Sequence, residues 1–246
     1  MFPALATRCF PVTNLHLISP AGPVSAGPAF LCQMLGMSGG KVDSAAMRIF
    51  ALTGGIATGK STAGEMMRRL LPSLAFFDCD LVVGRLLARP EVIDELAREF
   101  GWSIRAGDGS LNRLRLRSLV FEDPAKRKKL EAILHPKVRK ECLEKCREST
   151  KNPLTTLFVA DVPLLFESGF DFGQELNLVV ATSEATQRKR LKARSHLDDR
   201  MISSILAAQL PIMEKVARGD VVFWNEGRPS ILEQQLARFL ESLSFS

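Results

Sequence analysis

The 246-residue chain holds no apolar run long enough to cross a membrane; Ala29 to Met37 is too short and is interrupted by Gln33 and Gly36. It also lacks a cysteine framework. Cys9, Cys32, Cys79, Cys142 and Cys146 form no Cys-x-x-Cys pair, and with three histidines to add there is no donor set for a structural zinc site. A reducing compartment fits this usage, with Cys142 and Cys146, at i and i+4, expected as thiols packed on one helical face. Residues 1–40 contain no acid, no lysine and a single arginine, Arg8, among several prolines and glycines, a composition unlike that of a folded domain. Lack of acid is one mark of an organellar (mitochondrial) transit peptide, but such peptides are Arg-rich and amphipathic, and one arginine is thin support. The simpler reading makes 1–47 a dispensable leader, the working protein beginning at Met47 and residing in the cytoplasm. No internal repeat or low-complexity tract is evident.

With 46% hydrophobic residues, the chain suffices for one large core or a core carrying small inserted subdomains. A formal charge of +6 and a pI near 9.2 suit nucleic acid and phosphorylated small ligands equally, so charge alone does not choose. The stretch Ala51-Leu-Thr-Gly-Gly-Ile-Ala-Thr-Gly-Lys-Ser-Thr62 does. Read as Gly54-x-x-x-x-Gly59-Lys60-Ser61, it has the composition of a phosphate-binding loop. In such a loop Gly54, Gly55, Ile56, Ala57, Thr58 and Gly59 curl their backbone around an anion. Lys60 reaches the β and γ phosphates, and the hydroxyl of Ser61, with Thr62 beside it, meets Mg2+. The context agrees: Arg48 to Thr53 reads as a buried strand, and Met66, Met67, Leu70 and Leu71 recur at helical spacing over Ser61 to Leu71. Ala57 is expected at an ordinary negative φ.

Further apolar segments predict strands at Leu74–Phe77, ending on Asp78-Cys-Asp80, and at Thr155–Val162, Leu176–Thr182 and Asp220–Trp224, with helices between them. That rhythm predicts a mostly parallel five-stranded sheet with helices on both faces, an α/β fold of the P-loop kinase kind. Asp78, Asp80, Asp161 and Asn225 then fall at strand ends, where ligands of such sheets collect. The nucleotide-binding core is assigned to 48–80, 151–182 and 219–246, a basic helical insert to 81–150, and a helical lid to 183–218. In the insert, Lys126 to Lys129 read as a solvated face, while Arg113 and Arg117, at i and i+4, form a two-guanidinium face suited to phosphate. In the lid, one helix is expected over Ser183–Arg194 and another over Leu197–Arg218.

Three classes compete for such a chain. A GTPase would carry an Asn-Lys-x-Asp stretch, which is absent. A nucleic-acid motor would interleave aromatic side chains with the basic helices, and the basic runs here carry no such interleaving. A small-molecule kinase needs a phosphate loop, a carboxylate near the acceptor hydroxyl, an acceptor-binding insert and an arginine-bearing lid, and these segments occur in order. From Arg48 onward the chain resembles the dephospho-coenzyme A kinase family. The resemblance runs through Leu52 to Ser61, Asp78-Cys-Asp80, Arg113 to Phe121, Leu130-Glu-Ala-Ile-Leu-His-Pro-Lys-Val138 and Asp161-Val-Pro-Leu-Leu-Phe-Glu167. It continues through Thr186-Gln-Arg-Lys-Arg190 with Arg194, Ala207-Ala-Gln209, and Asp220-Val-Val with Asn225-Glu-Gly227.

That resemblance implies transfer of phosphate from ATP, with Mg2+, to the ribose 3′-hydroxyl of dephospho-CoA. It implies Asp80 as general base, Lys60 and Arg190 on the triphosphate, Arg194 assisting from the lid, and Asn225 near the adenine and ribose of ATP. Ser61 is the expected metal contact, ahead of Asp161. Asp78, Arg113, Arg117, His135, Pro163 and Leu164 fall to the acceptor side. The bland alternative for His135 is a His-Pro pair that only breaks a helix, and for Asp80 an N-cap for a helix beginning at Leu81. A monomer or weak homo-oligomer is expected, with no nucleic-acid partner. Another small-molecule or nucleotide kinase, or a nucleic-acid-stimulated ATPase, is the competing reading.

Overall fold

In the computed structural model residues 47–195 and 198–243 are described; the leader up to 46 and the expected helix start at Leu197 lie outside them. Five strands, β1 (Arg48–Gly54), β2 (Leu74–Asp78), β3 (Leu157–Asp161), β4 (Leu176–Ala181) and β5 (Val221–Trp224), pair in the order β2-β3-β1-β4-β5. Every pairing is parallel. A parallel sheet is covered on both faces, which is why its strands are continuous apolar runs rather than alternating ones. In β1, Ile49 and Ala51 face one layer while Phe50 and Leu52 face the other, and all four are buried. The first layer is helical insert; the second comprises α1 (Lys60–Leu70) and the C-terminal helix Pro229–Ser242. Full burial of a phenylalanine such as Phe50 or Phe158 contributes about 1.5–3 kcal/mol.

Between β2 and β3 the chain is helical: α2 (Cys79–Leu86), α3 (Pro90–Phe100), a 3-10 turn at Trp102–Ile104, α4 (Arg113–Glu122) and the 27-residue α5 (Pro124–Thr150). Pro136 lies inside α5, so the alternative in which the His-Pro pair breaks a helix does not hold. An interior proline costs about 3 kcal/mol through a lost hydrogen bond and a clash with the preceding turn. The buried series Leu130, Leu134, Val138, Cys142 and Cys146, one residue every turn, holds the helix against the core regardless. Cys142 and Cys146 are free thiols on that face, as their spacing predicted.

After β3 come α6 (Leu165–Ser168) and β4, then α7 (Glu184–Ser195), α8 (Asp199–Ala207), α9 (Ile212–Arg218), β5 and α10 (Pro229–Ser242). The long lid helix expected up to Arg218 is thus two helices. Pro211, the N-cap of α9, disfavours helical geometry in the residue before it and separates them.

Candidate active site

β1 delivers the chain into the phosphate loop and α1 takes it out. The first helical bond of α1 runs from Ala63 N–H to the Gly59 carbonyl at 3.0 Å, and no side chain caps the helix. The amides of Lys60, Ser61 and Thr62 therefore have no intrahelical acceptor, which with the helix dipole makes an anion site. Gly59 has φ 96°, and a Cβ there would run into the Asn225 amide. Ala57, contrary to expectation, also sits at positive φ, 60°. That conformation costs an L-residue about 1–2 kcal/mol and persists only where the surroundings impose it.

The surroundings are evident. Gln209 accepts from Ile56 N–H at 2.8 Å, and Gln187 donates to the Ile56 carbonyl at 2.7 Å. Arg190 Nη1 donates to the Ala57 and Thr58 carbonyls at 3.1 and 3.2 Å, and its Nη2 to the Asn225 carbonyl at 2.9 Å. Asn225 Nδ2 donates to the Thr58 carbonyl at 2.8 Å. Arg190 and Asn225, expected on the nucleotide itself, are here the clamps of the loop. Arg194 is exposed on the same helix, α7.

The carboxylates come from the ends of β2 and β3, where Asp78 and Asp161 are register partners. Asp161 is ion-paired with Lys60. Burial pushes the Asp161 carboxyl up, and the Lys60 ammonium opposes that. Asp78, not Asp80, caps the following helix: its Oδ1 accepts from Leu81 N–H at 2.9 Å, and α2 begins at Cys79. Asp80 therefore stands in the first helical turn and does not share a strand face with Asp78. The buried Cys79 between them is kept protonated, first by burial and further by the nearby carboxylates of Asp161 and Asp80, so it is no nucleophile. No cluster of three His, Cys, Asp or Glu capable of caging a metal occurs among the described residues. An exposed Ser61 hydroxyl and one or two carboxylate oxygens nevertheless fit Mg2+, which keeps most of its shell for water and substrate phosphates.

Asp80 opens onto a pocket of about 120 Å³ whose lining includes Val83, Leu130, Leu134, Val138, Phe170, Pro163, Leu164, Glu131 and His135. His135, Pro163 and Leu164 share this lining with Asp80. Arg113 and Arg117 are not. Both are exposed on α4 away from this lining, and Arg113 donates to the Gly84 carbonyl at 3.1 Å. Glu131 was not singled out from the sequence. Its Oε1 is buried without a hydrogen-bond partner, and burial raises the carboxyl to about 7 against the pull of Arg127 and Lys128. Burial also lowers the His135 imidazole.

A pH-dependent stability follows for Glu131. The folded chain retains a proton there between the ordinary 4.5 and about 7, so the associated stability is complete below the former and is lost as pH rises through the latter. Glu131→Gln is expected to melt with the wild type at pH 5 and above it at pH 8; parallel melting temperatures across that range would contradict this origin.

A second group missed from the sequence is the buried pair of Lys215 Nζ and Glu167 Oε1 at 2.7 Å. Lys215 also donates to the Gly54 and Pro163 carbonyls at 3.3 and 3.4 Å, and Glu167 accepts from Leu210 N–H at 3.0 Å. The pair thus ties α9 to the entry of the phosphate loop and to the pocket wall. Glu226 binds Ser183 N–H at 2.8 Å and the hydroxyls of Thr182, Ser183 and Thr186, which hold its carboxyl down at about 2 and join the β5 exit to the start of α7.

Comparison with known proteins agrees with this geometry. The family model described as dephospho-CoA kinase matches residues 48–230. A dephospho-CoA kinase of Symbiobacterium thermophilum is 41% identical over 182 residues, covering 74% of this chain and 75% of its own. One from Anaeromyxobacter dehalogenans is 39% identical over 200 residues, covering 80% and 92%. Among solved structures, a Thermus thermophilus protein superposes with a TM-score of 0.68 at 34% identity, covering 80% of this chain and 98% of that one. The dephospho-CoA kinase of Campylobacter jejuni, at 23% identity and TM-score 0.56, shares the fold.

Proposed function

The chain belongs to the dephospho-CoA kinase family, and on that premise we propose how its residues carry the reaction. It is an ATP-dependent kinase of dephospho-CoA, acting in coenzyme A synthesis. One observation supports the assignment of roles: Asp161, ion-paired with the phosphate-loop Lys60, is the register partner of Asp78, which stands two residues before the pocket-lining Asp80, so the loop lysine and the pocket carboxylate come from adjoining strand ends.

In this reading the unpaired amides of Lys60, Ser61 and Thr62 hold the triphosphate, and Lys60 leaves Asp161 to neutralise the phosphoryl group in flight. Ser61, with Asp161, would hold Mg2+, which when bound would add positive charge beside the phosphate chain. Asp80 takes the proton of the ribose 3′-hydroxyl, orienting that oxygen as its bond to phosphorus forms. The apolar pocket accepts the acceptor's purine between α2 and α5. Arg190, Asn225, Gln187 and Gln209 keep the loop in its strained form, and the exposed Arg194 reaches the phosphates when the segment 183–218 closes as a lid. Arg113 and Arg117 remain acceptor contacts only if α4 approaches on binding.

The test is ADP release from ATP and Mg2+ with dephospho-CoA, adenosine, AMP or shikimate as acceptor. Turnover is expected with dephospho-CoA at a kcat/KM at least about a hundredfold above the others, the scale of discrimination a matched polar site reaches. Equal turnover with another panel member would overturn the substrate assignment.

A further inference from the structure

Lys215, on α9, has none of its side chain exposed, and its partner Glu167, on α6, has 3%. A lysine ammonium has three protons to donate, and this one has three acceptors: Glu167 Oε1 at 2.7 Å, the Gly54 carbonyl at 3.3 Å and the Pro163 carbonyl at 3.4 Å. Gly54 opens the phosphate loop, and Pro163 lines the apolar pocket beside Asp80. We infer that Lys215, held by Glu167, is a positioning residue for phosphoryl transfer: it fixes the pocket wall against the mouth of the phosphate loop and so sets the approach of the acceptor hydroxyl to the transferring phosphate. The inference rests on the kinase reading above and adds to it what holds the two substrate sites in register.

Stability alone does not call for charge at this place. Ile212 and Val216 already hold α9 to β4 by packing on Val179 and Ala181. Replacing a buried ion pair by neutral side chains of similar volume is often neutral or stabilising. Glu167 also leaves its Oε2 buried with no hydrogen-bond partner, a penalty that an apolar pair would not carry. What the ions supply, and a hydrocarbon contact does not, is direction. Besides the bonds from Lys215, Glu167 Oε1 accepts from Leu210 N–H at 3.0 Å, and the neighbouring Gln209 accepts from Ile56 N–H at 2.8 Å. One ion pair thus reaches the loop at Gly54 and, through the turn between α8 and α9, at Ile56, just ahead of the strained Ala57. Gly54 has no slack, since a Cβ there would stand 2.5 Å from the Val180 carbonyl oxygen. The pocket wall is the looser partner. Without Lys215 it keeps one bond to β1, from Thr53 Oγ1 to the Pro163 carbonyl at 3.3 Å, so it would shift rather than detach. Misplacing a bound reactant by about 1 Å is enough to cost about a hundredfold in rate.

Lys215→Met combined with Glu167→Gln removes both charges, keeps the volume and leaves an acceptor for Leu210 N–H. The double variant is expected to melt at or close to the wild-type temperature. Its kcat with dephospho-CoA should fall about tenfold to a hundredfold, with the KM for ATP and for dephospho-CoA each within about threefold. Hydrolysis of ATP without acceptor, which uses the phosphate loop but no registered hydroxyl, should stay within about twofold of wild type. A loop that is merely loosened loses both reactions together. Equal falls in transfer and hydrolysis, or a fall traced to a raised KM for ATP, would make the pair a prop of the loop and overturn the inference, as would an unchanged kcat. Glu167→Gln alone, which is isosteric and keeps the Leu210 bond, decides where the double variant does not fold: a ratio of transfer to hydrolysis lowered at least about threefold supports the inference, and an unchanged ratio overturns it. Absence of dephospho-CoA turnover in the wild type would overturn the underlying reading instead.

Discussion

Lys60→Ala is expected to lower kcat at least about a hundredfold at saturating ATP and, because of the residue it leaves behind, to destabilise the protein as well. The rate effect is the loss of one cation aimed at the charge that grows on the transferring phosphoryl oxygens, a contact of about 3 kcal/mol or more. The stability effect comes from Asp161, which is buried and ion-paired with Lys60. Removing one partner of a buried pair costs about 3–5 kcal/mol when the other stays charged. Asp161 escapes part of that cost by protonating. Burial already raises its carboxyl, and losing Lys60 removes the main opposing charge, so the folded variant holds the proton to higher pH. Its stability is then retained at low pH and lost as pH rises through the raised value. The double change Lys60→Ala with Asp161→Asn discards the orphaned charge, and should recover the melting temperature at pH 8 without recovering turnover. Near wild-type kcat in Lys60→Ala would count against the whole assignment of the phosphate loop.

The phosphate loop and the sheet were legible because both rest on local rules. Glycines followed by lysine and serine, between an apolar run and a helical period, leave few alternatives, and strands buried on both faces show as unbroken apolar segments. What was not legible depends on contacts distant in sequence. Ala57 carries no local sign of its positive φ; the bonds from Arg190, Gln187 and Gln209, over a hundred residues away, impose it. Pro136 argues against a helix by every local measure, yet the packed series from Leu130 to Cys146 runs through it. Lys215 resembles any surface lysine of an amphipathic helix, and only folding brings Glu167 to it. The same holds for Arg190: a basic run on one helix does not say which guanidinium will be committed to the loop's carbonyls. Arg113 and Arg117 lie outside the pocket lining for the converse reason, since helical spacing puts them on one face without saying which way α4 turns that face.

The pair Asp78 and Asp80 shows how a two-residue ambiguity becomes a decisive experiment. From sequence, Asp80 reads as the base or as the cap of a helix beginning at Leu81, with Asp78 left to the acceptor side. Pairing of β2 with β3 through Asp78 and Asp161 extends the strand to Asp78, so the helix starts at Cys79 and the cap falls to Asp78. The two carboxylates therefore have separable duties. Asp78→Ala deletes an N-cap bond worth about 1 kcal/mol, a drop of about 2–4 °C in melting temperature for a chain of this size. Asp80→Asn touches no cap. It keeps the shape and much of the hydrogen bonding of the side chain while removing the ability to accept the hydroxyl proton, so kcat should fall about a hundredfold or more, within the range attributed to a positioned base. Melting temperature and ATP affinity should stay close to wild type. A fall confined to the dephospho-CoA KM would recast Asp80 as a hydroxyl-orienting contact whose charge is dispensable. An Asp80→Asn enzyme with full kcat and unchanged KM would remove Asp80 from the chemistry altogether and leave Asp161, freed from Lys60 when the triphosphate binds, as the remaining carboxylate at the junction.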